Sequence, residues 1–147
     1  MAIEAVFSIE GVPTIGFLNE PEVTPERIDR VHRVLWNQGL MSLLLVIKDD
    51  ELTAYSLVQR PFRRDQGITA DPRLISTLSL VADALRLREL IDSTESGRFW
   101  FENDKFFDPD DRVDSVLLSN LLQAFREMKD ELGGDAAQAL LMQAMFI

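Results

Sequence analysis

The sequence predicts an α+β fold: a small β-sheet built around a hairpin at about residues 41–58 and packed by a helix, followed by a mainly helical half. Three observations carry that expectation. Thr24-Pro25 opens a stretch with helical apolar spacing that runs to Gln38. Two apolar, partly β-branched blocks, residues 41–48 and 52–58, flank the acidic turn Asp49-Asp50-Glu51. Beyond residue 71, apolar residues recur at 3.6-residue spacing in successive stretches.

Each element has its own reason. Residues 2–18 are apolar but punctuated by Gly11, Pro13 and Gly16, which suits one or two short strands joined by a turn. A capping hydroxyl on Thr24, Pro25 at the first helical position and Glu26 in the first turn start a helix. Ile28, Val31, Val34 and Leu35 continue it to Gln38, and Gly39 stops it. The nearly continuous run Leu43-Leu44-Leu45-Val46-Ile47 reads as a central strand covered on both faces. Residues 59–70 are polar and read as a loop. Asp71-Pro72 repeats the cap-plus-proline signature, and Leu74, Ile75, Leu78, Val81, Ala82 and Leu85 predict a helix to about Ile91. Residues 93–100 suit a short helix burying Phe99 and Trp100. Val113, Leu117, Leu121, Phe125, Met128 and Leu132 mark a long helix closed by Gly133-Gly134, after which Asp135 caps a last helix through Ala139, Leu140, Ala144, Met145 and Phe146. The expected organisation is one compact domain, with an α/β subregion at 1–70 and a helical subregion at 71–147. The chain stops at Phe146-Ile147 inside an apolar helical pattern, which reads as the amino-terminal piece of a longer protein.

Composition narrows the function classes. The 147 residues are 46% hydrophobic and 27% charged, as in a folded domain and unlike a disordered chain. No cysteine is present, which removes disulfides, thiolate metal sites and a cysteine nucleophile; one histidine, His32, removes any two-imidazole mechanism. The net charge of −10 repels nucleic acid and anionic membranes in bulk, so a DNA contact requires a local basic patch. Residues 1–73 hold eight basic against eleven acidic side chains, residues 74–147 seven against fourteen, so the first half is the better placed to meet DNA. The first residues have no basic region ahead of a long apolar stretch, and no apolar run reaches the roughly 20 residues of a membrane span. The expected location is the cytoplasm.

Few motifs carry chemistry. There is no Gly-x-Gly and no Gly-Lys-Ser/Thr to cradle a phosphate. Residues 108–114 begin like a calcium loop but place Val113 where glycine is required and Ser119 where the closing glutamate belongs, so they read as a solvated loop and helix start. A magnesium nuclease of the restriction type needs a strand bearing Asp/Glu-x-Lys; here Lys48 precedes Asp49, Asp50 and Glu51, and Glu127-Met128-Lys129 falls in a predicted helix. His32 has no nucleophile fixed beside it and reads as a packing or surface residue. Arg27, Arg30 and Arg33 recur every three residues as a slanted basic stripe, and Arg60, Arg63 and Arg64 join it in one patch if the loop folds back on that helix, enough for a few phosphate contacts. The plainer alternative is that these arginines pair with the many acids. Trp36, Trp100 and Phe99 read as core anchors.

The run His32-Arg33-Val34-Leu35-Trp36-Asn37-Gln38-Gly39, followed by the apolar strand, the acidic turn and Leu52-Thr53-Ala54-Tyr55-Ser56, resembles the amino-terminal region of bacterial adenine-N6 DNA methyltransferases of restriction-modification and phage-defence systems, the N-6 DNA methylase family. Glu95-Ser96-Gly97-Arg98-Phe99-Trp100, Asp111-Arg112-Val113-Asp114 with Leu117-Leu118 and Asn120-Leu121, and Ala139-Leu140-Leu141 leading to Met145-Phe146-Ile147 are similar to the same proteins, in the same order. The resemblance implies a parent enzyme that uses S-adenosylmethionine and holds a flipped adenine with an Asn/Asp-Pro-Pro-Tyr/Phe motif. Neither that motif nor the cofactor's glycine motif occurs in this chain, so no catalytic, cofactor-binding or metal residue is carried over. The implied role is a non-catalytic domain that helps position double-stranded DNA or docks onto the catalytic and target-recognition parts of the parent chain. Two rivals stay open: a degenerate or active magnesium nuclease, and a plain protein-interaction module.

Overall fold

The computed structural model describes residues 3–67 and 70–146. Ala2 at the start of the first predicted strand, the loop residues Ile68 and Thr69, and the chain end at Ile147 lie outside them. Two compact units, residues 1–113 and 114–147, each have their own architecture. The α+β class is as the sequence predicts.

The first unit is built on a five-stranded mixed sheet in the order β1-β2-β3-β4-β5. Strands β1 (Ala5–Ile9) and β2 (Val12–Asn19) form a tight hairpin whose turn residues, Glu10 and Gly11, both have positive φ, the backbone that a two-residue turn needs to match strand twist. The helix α1 (Pro25–Gln38) then crosses over so that β3 (Leu43–Lys48) pairs parallel with β2, while β4 (Glu51–Ser56) pairs antiparallel with β3. Thr24 Oγ1 accepts the Arg27 N–H at 3.2 Å, and Gly39, at φ 64°, closes the helix by donating to the carbonyls of Leu35 and Trp36. An alanine at Gly39 meets that left-handed backbone and the Val113 side chain 3.0 Å from its Cβ.

The period-2 alternation of β3 feeds two cores. Leu44 and Val46 join Leu18, Val31, Leu35 and Leu57 on the α1 face; Leu43 and Leu45 join Ile15, Leu52, Ala54, Leu78, Leu90 and Phe99 on the other. The predicted central strand is therefore buried on both sides.

The helix predicted over 74–91 is wrong in its first part. Leu74–Ser79 is a strand, β5, pairing antiparallel with β4, and the helix α2 spans Ala84–Ser96. The open edge of β4 offers a full backbone ladder, and Ser76, Thr77 and Ser79 suit a strand better than a helix. The apolar period that suggested one helical face is not one face: Leu78 is buried while Val81 and Leu85 are exposed. Asp71 still caps, but its Oδ1 accepts the Arg73 N–H at 2.9 Å in a local turn rather than at a helix start. The helix α3 (Arg98–Glu102) follows Gly97 and buries Phe99, with Trp100 partly buried; Phe99, Trp100 and Phe107 meet edge to face.

The second unit is two helices, α4 (Val113–Leu132) and α5 (Gly134–Met145), joined at Gly133. Gly133, not Asp135, is the cap residue of α5: its φ of 86° makes the reversal glycine alone takes readily, and Asp135 falls in the first turn. No helix among the described residues is long and apolar enough to cross a membrane.

Leu44 is completely buried in the α1-side core. Leu44→Ala is expected to lower unfolding stability by about 2–5 kcal/mol, read as a drop in urea midpoint, whereas Leu40→Ala, at a site 63% exposed, should shift it little.

Candidate nucleic-acid interface

One stripe of α1, Asp29, Arg33, Trp36 and Asn37, stands at i, i+4, i+7 and i+8 and forms one wall of a groove of about 1210 Å³. The opposite wall is the connection after β4, which supplies residues 59–65, with Pro72 and Asp111 completing the lining. The loop does fold back on the helix. Trp36 Nε1–H lies between the Val58 carbonyl at 3.2 Å and the Asp111 carbonyl at 3.0 Å, tying three segments at the groove's edge. The indole is a positioning anchor there, as its amphipathic character suggests.

A buried ion cluster holds the loop's far end. Arg73 is fully buried; its Nε and Nη2 donate to the two oxygens of Asp71 at 2.9 and 2.7 Å, and Nη2 also reaches Asp29 Oδ1 at 2.7 Å. The guanidinium lies over the rings of Phe62 and Tyr55, 5.4 and 5.8 Å from their centroids. Burial disfavours the charged form, but hydrogen bonds to Asp71 and Asp29 outweigh it and hold Arg73 above its ordinary value; against the same burial, bonds from Arg73 keep the Asp71 carboxyl low, and bonds from Arg64 and then Arg73 keep that of Asp29 low. Asp29 is shared: its Oδ2 also takes Arg64 Nε at 2.7 Å.

One turn along α1 from Asp29, His32 is fully buried and donates from Nε2 to the Ser56 carbonyl at 2.7 Å, while the Ser56 N–H donates to the Arg73 carbonyl at 2.8 Å. Ser56 thus links the helix to the start of β5. Burial, then the neighbouring Arg73 charge, depress the His32 pKa to about 4, so the ring is neutral and Nδ1 is left as an acceptor. It is a packed structural histidine.

The six arginines separate. Arg33, Arg60, Arg63 and Arg64 line the groove. Arg60 Nε donates to Asp111 Oδ1 at 3.0 Å, and Arg64 is forked onto Asp29. Among the described residues no ion pair engages Arg33 or Arg63, and both are exposed. Arg27 is turned to Glu20, at 2.9 Å, and Arg30 is exposed outside the groove lining. Reading the sequence missed Asp29, Asp111, Arg73, Asn37 and Gln59. None carried a usable local signal: Asp29 stands four residues before Arg33 on α1, yet its partners are Arg64 and Arg73.

The acids that the sequence offers as metal ligands lie in separate turns. Asp49 and Asp50 make the β3–β4 turn, and Glu51 opens β4. Asp108 accepts the Asp110 N–H in a short 3-10 turn. Among the described residues no three His, Asp or Glu side chains gather as a metal site. Comparison with protein-family models, with curated proteins and with solved structures finds no match in any of the three.

Two measurements check the cluster. Because His32 binds its proton near pH 4 when folded and near 6.5 when unfolded, the unfolded chain holds more protons between those values. Stability is thus fully present above pH 6.5 and is lost as pH falls toward 4, by about 3 kcal/mol in all. Denaturant titrations across that window should show the slope, and His32→Gln should flatten it. Arg73→Ala, which strips two carboxylates of their buried partner, should destabilise the fold by roughly 3–5 kcal/mol, measured the same way.

Proposed function

We propose that this chain is a non-catalytic amino-terminal domain of a DNA adenine-N6 methyltransferase of a restriction-modification or phage-defence system, and that the groove beside α1 receives the phosphate backbone of double-stranded DNA. The observation that carries the DNA contact is the convergence of Arg33, Arg60, Arg63 and Arg64 on one groove in a protein whose net charge is −10. Guanidinium forks suit phosphate oxygens, and a groove larger than the roughly 300–1,000 Å³ of small-molecule pockets suits a polymer. The enzyme class comes from the sequence resemblance, which runs from about residue 30 to the chain end.

In this reading the methyl donor and the flipped adenine belong to the parent's catalytic part, and this domain only aligns the duplex. Phosphate contacts fix register and orientation and carry no base information, so target recognition lies elsewhere in the parent. Docking is the second half of the role. Leu117, Leu118 and Leu122 of α4 and Leu140, Met142 and Met145 of α5 are exposed, which suits a helical pair that adjoins another protein surface. The work is done in the cytoplasm, where the host's DNA is.

The test is duplex binding by fluorescence anisotropy over a salt series. Binding should be weak and steeply salt-dependent, and should be lost when Arg60, Arg63 and Arg64 become Ala, while Arg27→Ala leaves it nearly unchanged. Equal binding by the triple variant would remove the groove from the reading.

A further inference from the structure

We propose that Asp29 and Asp111 stand in for phosphates in the free protein, so that DNA recruits Arg64 and Arg60 only by displacing a carboxylate from each. This rests on the reading of the groove as a DNA interface. A carboxylate offers the same acceptor fork to a guanidinium that a phosphate does, and both pairs sit on the groove lining itself.

The four groove arginines consequently fall into two states. Arg33 and Arg63 are exposed with no ion pair among the described residues and can meet an incoming backbone directly. Arg60 and Arg64 are paired at 3.0 and 2.7 Å, yet their side chains are 61% and 46% exposed. Ion pairs that open are worth little and exchange readily, whereas the buried Arg73 pairs below them are fixed. The acids therefore set a threshold. A single phosphate, or a protein's scattered carboxylates, gains little by breaking these pairs, while a continuous backbone that already holds Arg33 and Arg63 delivers phosphates at high local concentration.

The two acids are not equivalent. Asp29 also holds Arg73, so changing it disturbs the fold. The Asp111 side chain is tied only to Arg60 among the bonds described, and its backbone carbonyl, which takes Trp36 Nε1–H, survives substitution. Asp111 is the separable partner.

The experiment is a double-mutant cycle on duplex DNA affinity with Asp111→Asn, Arg60→Ala and the double variant at fixed salt. The expected result is tightening of about 2- to 5-fold by Asp111→Asn, the factor that a released exposed ion pair allows, and no tightening when Arg60 is already Ala. Tightening that persists without Arg60 would mean that Asp111 acts only through its bulk charge, and no tightening at all would mean that the pair is not displaced; either overturns the proposal while leaving the DNA interface standing. If the unmodified protein binds no duplex at any salt, the interface reading fails first and this inference falls with it.

Discussion

The guanidinium of Arg73 is the point on which the first unit turns. It is fully buried, and it joins α1 through Asp29, its own turn through Asp71, and the long connection through the ring of Phe62. A buried charge of this kind adds little net stability against an apolar replacement of equal shape, because desolvation offsets the Coulomb gain. What it does is join: its pairs with Asp29 and Asp71 tie the helix to the turn ahead of β5 at one buried point. The neutral His32 next to it completes the arrangement, since a second cation at that depth would be repelled.

This network also explains why the groove has its composition. Asp29 belongs at once to the buried cluster and to the surface, taking Arg73 on one oxygen and Arg64 on both. The outer arginine is thus aligned by an acid that the core requires. Groove electrostatics and fold stability are coupled through one carboxyl, and a change that optimises either acts on both.

Much of the fold was legible because local signals agreed with the tertiary outcome. Thr24-Pro25 and Gly39 bounded α1 to the residue, and the unbroken apolar run at 43–47 announced a strand covered on both faces. The second half of the sheet was hidden for a definable reason. Leu74, Ile75 and Leu78 fit a helical period as well as a strand, and what decides between them is the free edge of β4, a non-local fact. In the groove, arginines are conspicuous in a sequence, and the four that line it were among the six named there. Their acidic partners were not, because Asp111 lies 51 residues from Arg60 and nothing local marks the pairing.

The bonds at Ser56 have a consequence for how the molecule opens. Its N–H meets Arg73 and its carbonyl meets His32, so the whole connection between residues 56 and 73 is pinched shut at its base like a purse string. The closure is reinforced beyond its base: the Val58 carbonyl takes Trp36 Nε1–H, Arg60 meets Asp111, Phe62 is buried and Arg64 meets Asp29, so residues 58–64 are held against α1 and its neighbours, and the Ser56 amide exchanges only when β4 and the residue ahead of β5 part. An inserted residue between 58 and 64 therefore costs these contacts and the groove wall they hold, over and above the small logarithmic increment of closure entropy.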